Sequence, residues 1–253
     1  MKLYKYHKIS EYSISSLING FCWASNPSEF NDPFDTKIID NEFLEKINFS
    51  NEKIYCLSNV KDNLLMWSHY ANAHKGFCLE FTDYSDSEIA DLKAKSIYPN
   101  IENEKLSIVR NAKKVIYKSS AEIDEYIKDI PLDEKSFLAK FYSLDDKQKK
   151  ELENKIHSTT FIKHENWKYE QEYRLVNTTR NIIKFPGKLT GVYFGKNMSA
   201  INKRMIGKTL NPDFNNNIKF YQMYREKGKY SLSSRIFDMK TDLDGINDYI
   251  IYE

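Results

Sequence analysis

Glycine and proline are scarce, 8 and 6 in 253 residues, which excludes collagen-like and low-complexity architecture. Cysteine is scarcer still, present only as Cys22, Cys56 and Cys78. An odd count, and an amino terminus with no apolar signal region, argue for a reducing compartment and against a disulfide framework. The expected location is the cytoplasm. No apolar run approaches the roughly 18–20 residues of a membrane span, so no membrane partner is expected. Charge of one sign is also missing: 38 Lys and Arg against 36 Asp and Glu leave +2, which excludes a globally basic nucleic-acid coat. No G-x-G-x-x-G or P-loop motif occurs, so dinucleotide-fold and P-loop readings fail. Internal repeats and obvious linkers are absent as well.

What is present suffices for a core: 41% of residues are apolar and 14% aromatic. Leu3 to His7 alternates as a strand, and Ser10 to Asn19 reads as a helix closed by Gly20. Strand patterns follow at Phe21 to Ala24, Lys53 to Leu57 and Gly76 to Phe81, with a short helix at Asn63 to Ala73. After a charged, helix-forming middle, strands return at Glu172 to Asn177, Lys188 to Phe194, Ile218 to Tyr224 and Tyr230 to Phe237. A short helix is expected at Asn197 to Gly207. The fold class is therefore α+β, with a mixed or antiparallel strand core. We expect one domain over 1–253. Its core is drawn from 1–81 and 164–237, a helical insertion occupies about 84–163, and 238–253 forms an acidic tail.

Charge is uneven along the chain. Ile182 to Arg235 carries eleven Lys and Arg against Asp213 and Glu226, whereas Asp238 to Glu253 carries five acidic residues against Lys240. The bland reading is a solvated basic surface balanced by the tail. The sharper one is a basic side that meets phosphate, of a nucleotide or of nucleic acid.

Three segments could carry chemistry. In Trp167-Lys168-Tyr169-Glu170-Gln171-Glu172-Tyr173-Arg174, two carboxylates stand two residues apart where a strand begins. Alternation would point them to one side, and such a pair can divide labour, one stabilising a cation and one orienting an attacking group. The bland reading is solvated glutamates paired to Lys168 or Arg174. In Phe30-Asn31-Asp32-Pro33-Phe34-Asp35 an Asx turn is expected, stapled to the core by both phenylalanines and presenting Glu29, Asn31 or Asp32 to a ligand. In Ser58 to Ala71, Trp67 and its neighbours fit core packing, while His69 and His74 are harder to explain so. Cys56, His69, His74 and Cys78 are formally compatible with zinc. No C-x2-C pair anchors them, and both cysteines sit in apolar strand runs, so buried thiols are the default reading.

Several of these segments together resemble a known family. They are Leu3-Tyr4-Lys5-Tyr6, the Pro27-to-Asp35 run, Leu65-Met66-Trp67-Ser68-His69-Tyr70-Ala71 with His74-Lys75-Gly76-Phe77, and the Trp167-to-Arg174 run. They are similar to the bacterial family catalogued as domain of unknown function 2971, over nearly the whole chain and least over the helical middle. That resemblance implies no function.

The order of parts also resembles, remotely, the ADP-ribosyltransferase fold, which opens with a Leu-Tyr strand, a helix, a glycine and another strand. It later carries an E-x-E motif at the start of a strand. This resemblance implies cleavage of the nicotinamide–ribose bond of NAD, in a toxin or phage-defence effector, with nucleic acid or protein as acceptor. Glu172 would be catalytic and Glu170 would orient the acceptor. Lys5 and His7 would stand in for the first-strand arginine or histidine, and Ser58 for the serine of a later strand. Tyr4, Tyr6, Asn31, Asp32, Trp67 and His69 are expected beside them around the nucleotide. Two other readings stay open. One is a non-catalytic nucleotide-binding or sensor domain. The other is a metal-dependent nuclease or phosphoesterase using Glu29, Asp32 or Asp35 with Glu170 and Glu172.

Overall fold

A computed structural model describes residues 1–36, 38–39, 52–95, 111–177, 180–210 and 218–243. In chain order the strands are β1 (Leu3–His7), β2 (Phe21–Trp23), β3 (Lys53–Ser58), β4 (Phe77–Thr82), β5 (Lys113–Lys114) and β6 (Ile116–Lys118). They continue as β7 (Ile162–His164), β8 (Glu172–Asn177), β9 (Ile182–Lys184), β10 (Lys188–Phe194), β11 (Lys219–Arg225) and β12 (Leu232–Ile236). The helices are α1 (Glu11–Asn19), α2 (Leu64–Tyr70), α3 (Asp86–Ala94), α4 (Ser120–Ile127), α5 (Glu134–Ser143), α6 (Asp146–Ser158) and α7 (Ala200–Leu210). The chain is mixed α+β, and its sheets are mostly antiparallel. It divides into two compact units, one of residues 1–22, 57–111 and 183–253, the other of 23–56 and 112–182.

In the first unit β4 is the organising strand. It pairs antiparallel with β1 (Leu3↔Phe81 to His7↔Phe77) and with β10 on its other side. β11 joins β10 in parallel and β12 closes that edge antiparallel to β11. β4 is Phe-Cys-Leu-Glu-Phe-Thr and is buried on both faces over its first five residues, so it reads as a continuous apolar run interrupted by Glu80. Phe77, Leu79, Phe81, Val192, Phe194 and Met223 form its packed interior. α1 starts where Ser10 accepts from the Ser13 amide, and it ends at Gly20 with φ 62°, a left-handed position that glycine takes without a Cβ clash.

The second unit holds two short ladders, β5 antiparallel to β8 and β6 parallel to β7. Its helices α5 and α6 bury Phe137, Leu152 and Ile156 against Ile39 and Ile130. The charged middle expected as a helical insertion at 84–163 thus also contains β5 and β6, and β7 begins inside its last residues. Of that middle, residues 96–110 lie outside the described residues, as do 244–253 of the acidic tail. Two-residue and three-residue strands leave too short a period-2 pattern to register beside the helical spacing around them. No helix among the described residues is long and apolar enough to cross a membrane.

Candidate functional site

In the second unit, five charged side chains meet with almost no solvent contact: Asp35, Lys163, Glu170, Glu172 and Arg174. Lys163 Nζ lies 2.6 Å from Glu170 Oε2, 3.1 Å from Asp35 Oδ2 and 3.2 Å from Glu172 Oε2. Arg174 donates from Nε to Glu172 Oε1 (2.8 Å) and from Nη2 to both Asp35 oxygens (2.7 Å each) and to Glu172 Oε2 (3.0 Å). Its Nη1 donates to the Thr160 carbonyl at 2.6 Å. The guanidinium lies 5.6 Å from the Phe30 ring centroid, and Lys163 Nζ 4.9 Å from that of Trp167.

Local backbone geometry makes this convergence. Asp32 Oδ1 accepts the Phe34 amide at 3.0 Å, and Asp35 N–H donates to the Asp32 carbonyl at 3.1 Å, so the expected Asx turn is present and turns Asp35 inward. Only Phe30 staples it, however. Phe34 is 76% exposed, because the same turn that buries Asp35 points its neighbour outward. The two glutamates do share a direction, but not by strand alternation. Glu170 ends a 3-10 turn (Glu165–Glu170), Gln171 takes left-handed φ 44°, and only Glu172 begins β8. The expectation of solvated glutamates is overturned, as both are buried. Arg174 is one partner as expected. The other is Lys163, not Lys168, and the sequence signal for it was a lysine set in the apolar run Phe161-Ile162-Lys163.

Electrostatics follow from this packing. Burial opposes ionisation of Glu172, but the Arg174 charge and hydrogen bonds, then Lys163 and the Cys56 thiol, reverse this and hold its carboxyl down at about 2. Burial also opposes the charge on Lys163, yet Glu172, Asp35 and Glu170 raise its pKa far above the usual lysine value. Both are therefore charged at neutral pH. Cys56 is only partly buried, unlike Cys22 and Cys78. Among the described residues no group of His, Cys, Asp and Glu is arranged to hold a metal ion. Of the carboxylates of the nuclease reading, Asp35, Glu170 and Glu172 already face Lys163 or Arg174, Asp32 accepts the Phe34 amide, and Glu29 is exposed beside Asn26.

This cluster forms part of the wall of a cavity of about 720 Å3, reached by Asp35 and Lys163. Phe34, Ile123, Ile162 and Trp167 supply apolar wall, and Asp32, Asp124 and His164 polar wall. Neither Glu170 nor Glu172 lines it. Ser120 Oγ and His164 Nε2 are 3.2 Å apart on its rim.

Of the residues singled out from sequence, Asn31, Asp32, Glu170 and Glu172 belong to the second unit, and Tyr4, Lys5, Tyr6, His7, Ser58, Trp67 and His69 to the first. Asp32 is buried and Asn31 exposed. In the first unit Tyr6, Ser58 and Trp67 do come together, around the 58–62 turn. Tyr6 OH donates to the Val60 carbonyl (2.7 Å), Ser58 Oγ accepts the Val60 amide (3.1 Å), and Trp67 Nε1 donates to the Lys61 carbonyl (2.7 Å). Tyr6 meets Trp67 edge-on at 5.2 Å. Tyr4 OH instead points to Glu80 Oε2, at 3.4 Å. His7 stacks on Phe77, and burial, with Lys5 nearby, lowers its pKa to about 3. Lys5 is half-buried on β1, and His69 is exposed, edge-on to Tyr70.

Sequence reasoning passed over Glu80. It is buried on β4, where Tyr193 OH (2.7 Å) and Thr190 Oγ1 (2.9 Å) donate to it and Lys2 Nζ lies 2.9 Å away. Burial alone would raise its pKa, but those donors bring it below the ordinary carboxylate value. A glutamate inside Phe77-Cys78-Leu79-Glu80-Phe81 was the available signal.

Residues 66–175 match a family model described as protein of unknown function (DUF2971). The matched span contains Lys163, Glu170, Glu172 and Arg174 and the helical middle, the part over which the sequence motifs give the least resemblance. It leaves out the Pro27-to-Asp35 run. No curated protein and no solved structure matches the chain.

Proposed function

We propose that this protein is a ligand-binding module whose second unit takes a neutral or cationic, partly aromatic small molecule. A nucleoside, or the base or nicotinamide end of a nucleotide, has this chemistry. The observation that supports it is the 720 Å3 cavity, which falls in the roughly 300–1,000 Å3 range of small-molecule sites. Trp167 and Phe34 offer flat apolar surface, while Asp32 and Asp124 offer acceptors for ring amino groups. The wall sets Lys163 against the carboxyl groups of Asp32, Asp35 and Asp124, which favours a neutral or cationic ligand over a phosphate. In this reading the glutamate pair is structural: with Asp35 it fixes Lys163 and Arg174 and so shapes the wall.

The test is titration of the full-length protein with adenosine, nicotinamide riboside and AMP, followed by tryptophan fluorescence and calorimetry. A nucleoside should bind more tightly than AMP, and Trp167→Ala and Asp124→Ala should weaken it. Absence of saturable binding by any of the three would overturn the reading.

A second reading keeps the enzyme: ADP-ribosyl transfer from NAD to a protein or nucleic acid, as a toxin or phage-defence effector, with Glu172 catalytic and Glu170 orienting the acceptor. What favours it is that Glu172 is held ionised, as stabilising a ribosyl cation requires. It requires Glu172 to reach the ligand. Nicotinamide release from NAD, lost in Glu172→Gln, would support this reading. No release with any acceptor would leave the binding module.

A further inference from the structure

In the first unit, Asn72, Ala73 and His74 are three consecutive non-glycine residues with φ of 48°, 51° and 66°. Left-handed backbone of this kind persists only where the surroundings over-determine it, and it concentrates at functional sites. Here they do so. Ala73 N–H donates to the Ser68 carbonyl and His74 N–H to that of Trp67, both at 3.1 Å, while the His74 carbonyl accepts from Asn197 N–H at 2.9 Å. The imidazole lies nearly parallel to Trp67, 10° between planes and 6.4 Å between centroids. The ring is fixed, yet among the described residues its buried Nδ1 has no hydrogen-bond partner.

His74 opens onto a cleft of about 260 Å3 shared with Lys196, Asn197, Arg225, Tyr230 and Ser231. Among the described residues neither Lys196 nor Arg225 has a carboxylate partner; Lys196 Nζ meets only Asn197 Oδ1, at 3.3 Å. The neighbouring Glu226 is engaged by Lys229 (2.6 Å), Ser231 (3.3 Å) and Ser233 (3.2 Å). Burial, with Lys196 nearby, lowers the His74 pKa, so the ring is neutral and one nitrogen can donate without carrying charge. The cleft therefore presents two cations, the edge of a fixed imidazole ring and the Tyr230 hydroxyl, in a space suited to a small group, while the Ser231 hydroxyl is committed to Glu226.

We propose that this cleft binds a phosphate group, as inorganic phosphate or as the end of a phosphate monoester. Arg225 supplies the planar fork that matches phosphate oxygens, Lys196 a point charge, and the His74 ring a fixed wall beside them. This site stands independently of the cavity in the second unit.

The experiment titrates the full-length protein with inorganic phosphate and, separately, with methyl phosphate. Sodium chloride at equal ionic strength is the blank. The readouts are calorimetry and the side-chain ¹⁵N resonances of His74. The expected result is a saturable shift of the His74 signals with at least one phosphate. Arg225→Gln and Lys196→Gln should each weaken binding by about tenfold, as for loss of a charge-assisted hydrogen bond. Lys227→Gln removes the same charge from the same hairpin outside the cleft, and should change affinity by less than about twofold, the size of a screened long-range effect. Tighter binding of methyl phosphate would assign the site to esters, and equal binding to free phosphate. No saturable shift with either, or an equal loss in Lys227→Gln, would overturn the proposal.

Discussion

Replacing Arg174 by methionine tests the buried ionic cluster directly. Arg174 is fully buried and makes five hydrogen bonds, two to Asp35, two to Glu172 and one to the Thr160 carbonyl. Methionine fills much of the same space but leaves Asp35, Glu170 and Glu172 facing Lys163 alone. Breaking a buried pair by removing one partner costs about 3–5 kcal/mol, because the other charge stays desolvated. The direction agrees: burial would raise the Glu172 pKa, and Arg174, the largest favourable contributor, holds it down at about 2. The orphaned Thr160 carbonyl adds to the cost. We expect Arg174→Met to lower unfolding free energy by about 4 kcal/mol in urea denaturation at pH 7. Arg235→Met also deletes a paired arginine, but its contacts with Asp242, at 3.1 Å, are at the surface, so it should cost less than about 1 kcal/mol. Adding Asp35→Asn to Arg174→Met removes one stranded charge and should restore at least about 1 kcal/mol. A loss below about 1 kcal/mol for Arg174→Met, or equal losses for Arg174 and Arg235, would refute the reasoning.

Glu172 also sets an acid limit. Its folded pKa is depressed, so its stabilisation is fully present above 4.5 and is lost as pH falls toward about 2, which urea melts across that window will show as falling stability absent from Glu172→Gln. Gly195→Ala would place a Cβ 2.2 Å from the His74 carbonyl oxygen and 2.8 Å from that of Gly76, backbone that cannot yield cheaply. It should destabilise by about 1–3 kcal/mol in thermal melts. Gly191→Ala, whose nearest neighbour is the Tyr221 side chain at 3.3 Å, should cost less. Tyr6→Phe removes a hydrogen bond to the Val60 carbonyl and should cost about 1 kcal/mol in the same assay.

Local pattern alone determined most of the first unit and the edges of the second. Leu3–His7, Glu172–Asn177 and Lys188–Phe194 form strands where period-2 alternation or an apolar run placed them, and Ser10 and Gly20 cap α1 as their side-chain chemistry requires. The Asx turn at Asp32 was legible for the same reason: its hydrogen bond spans two residues. What the glutamates face was not legible. Their partners Asp35 and Lys163 lie far away or in another element in the chain, and the choice between solvated and buried carboxylates depends on whether such partners arrive. Gln171 shows the same limit, since its left-handed backbone, and not strand alternation, turns Glu170 and Glu172 toward one cation. The 162–164 strand was hidden because three residues carry too little periodicity to outweigh a helix-forming neighbourhood. Sequence determined the elements because capping and alternation act over a few residues. Only the tertiary structure decided which charges are buried, because burying a charge is stable only when chain folding brings its counter-charge within hydrogen-bond distance.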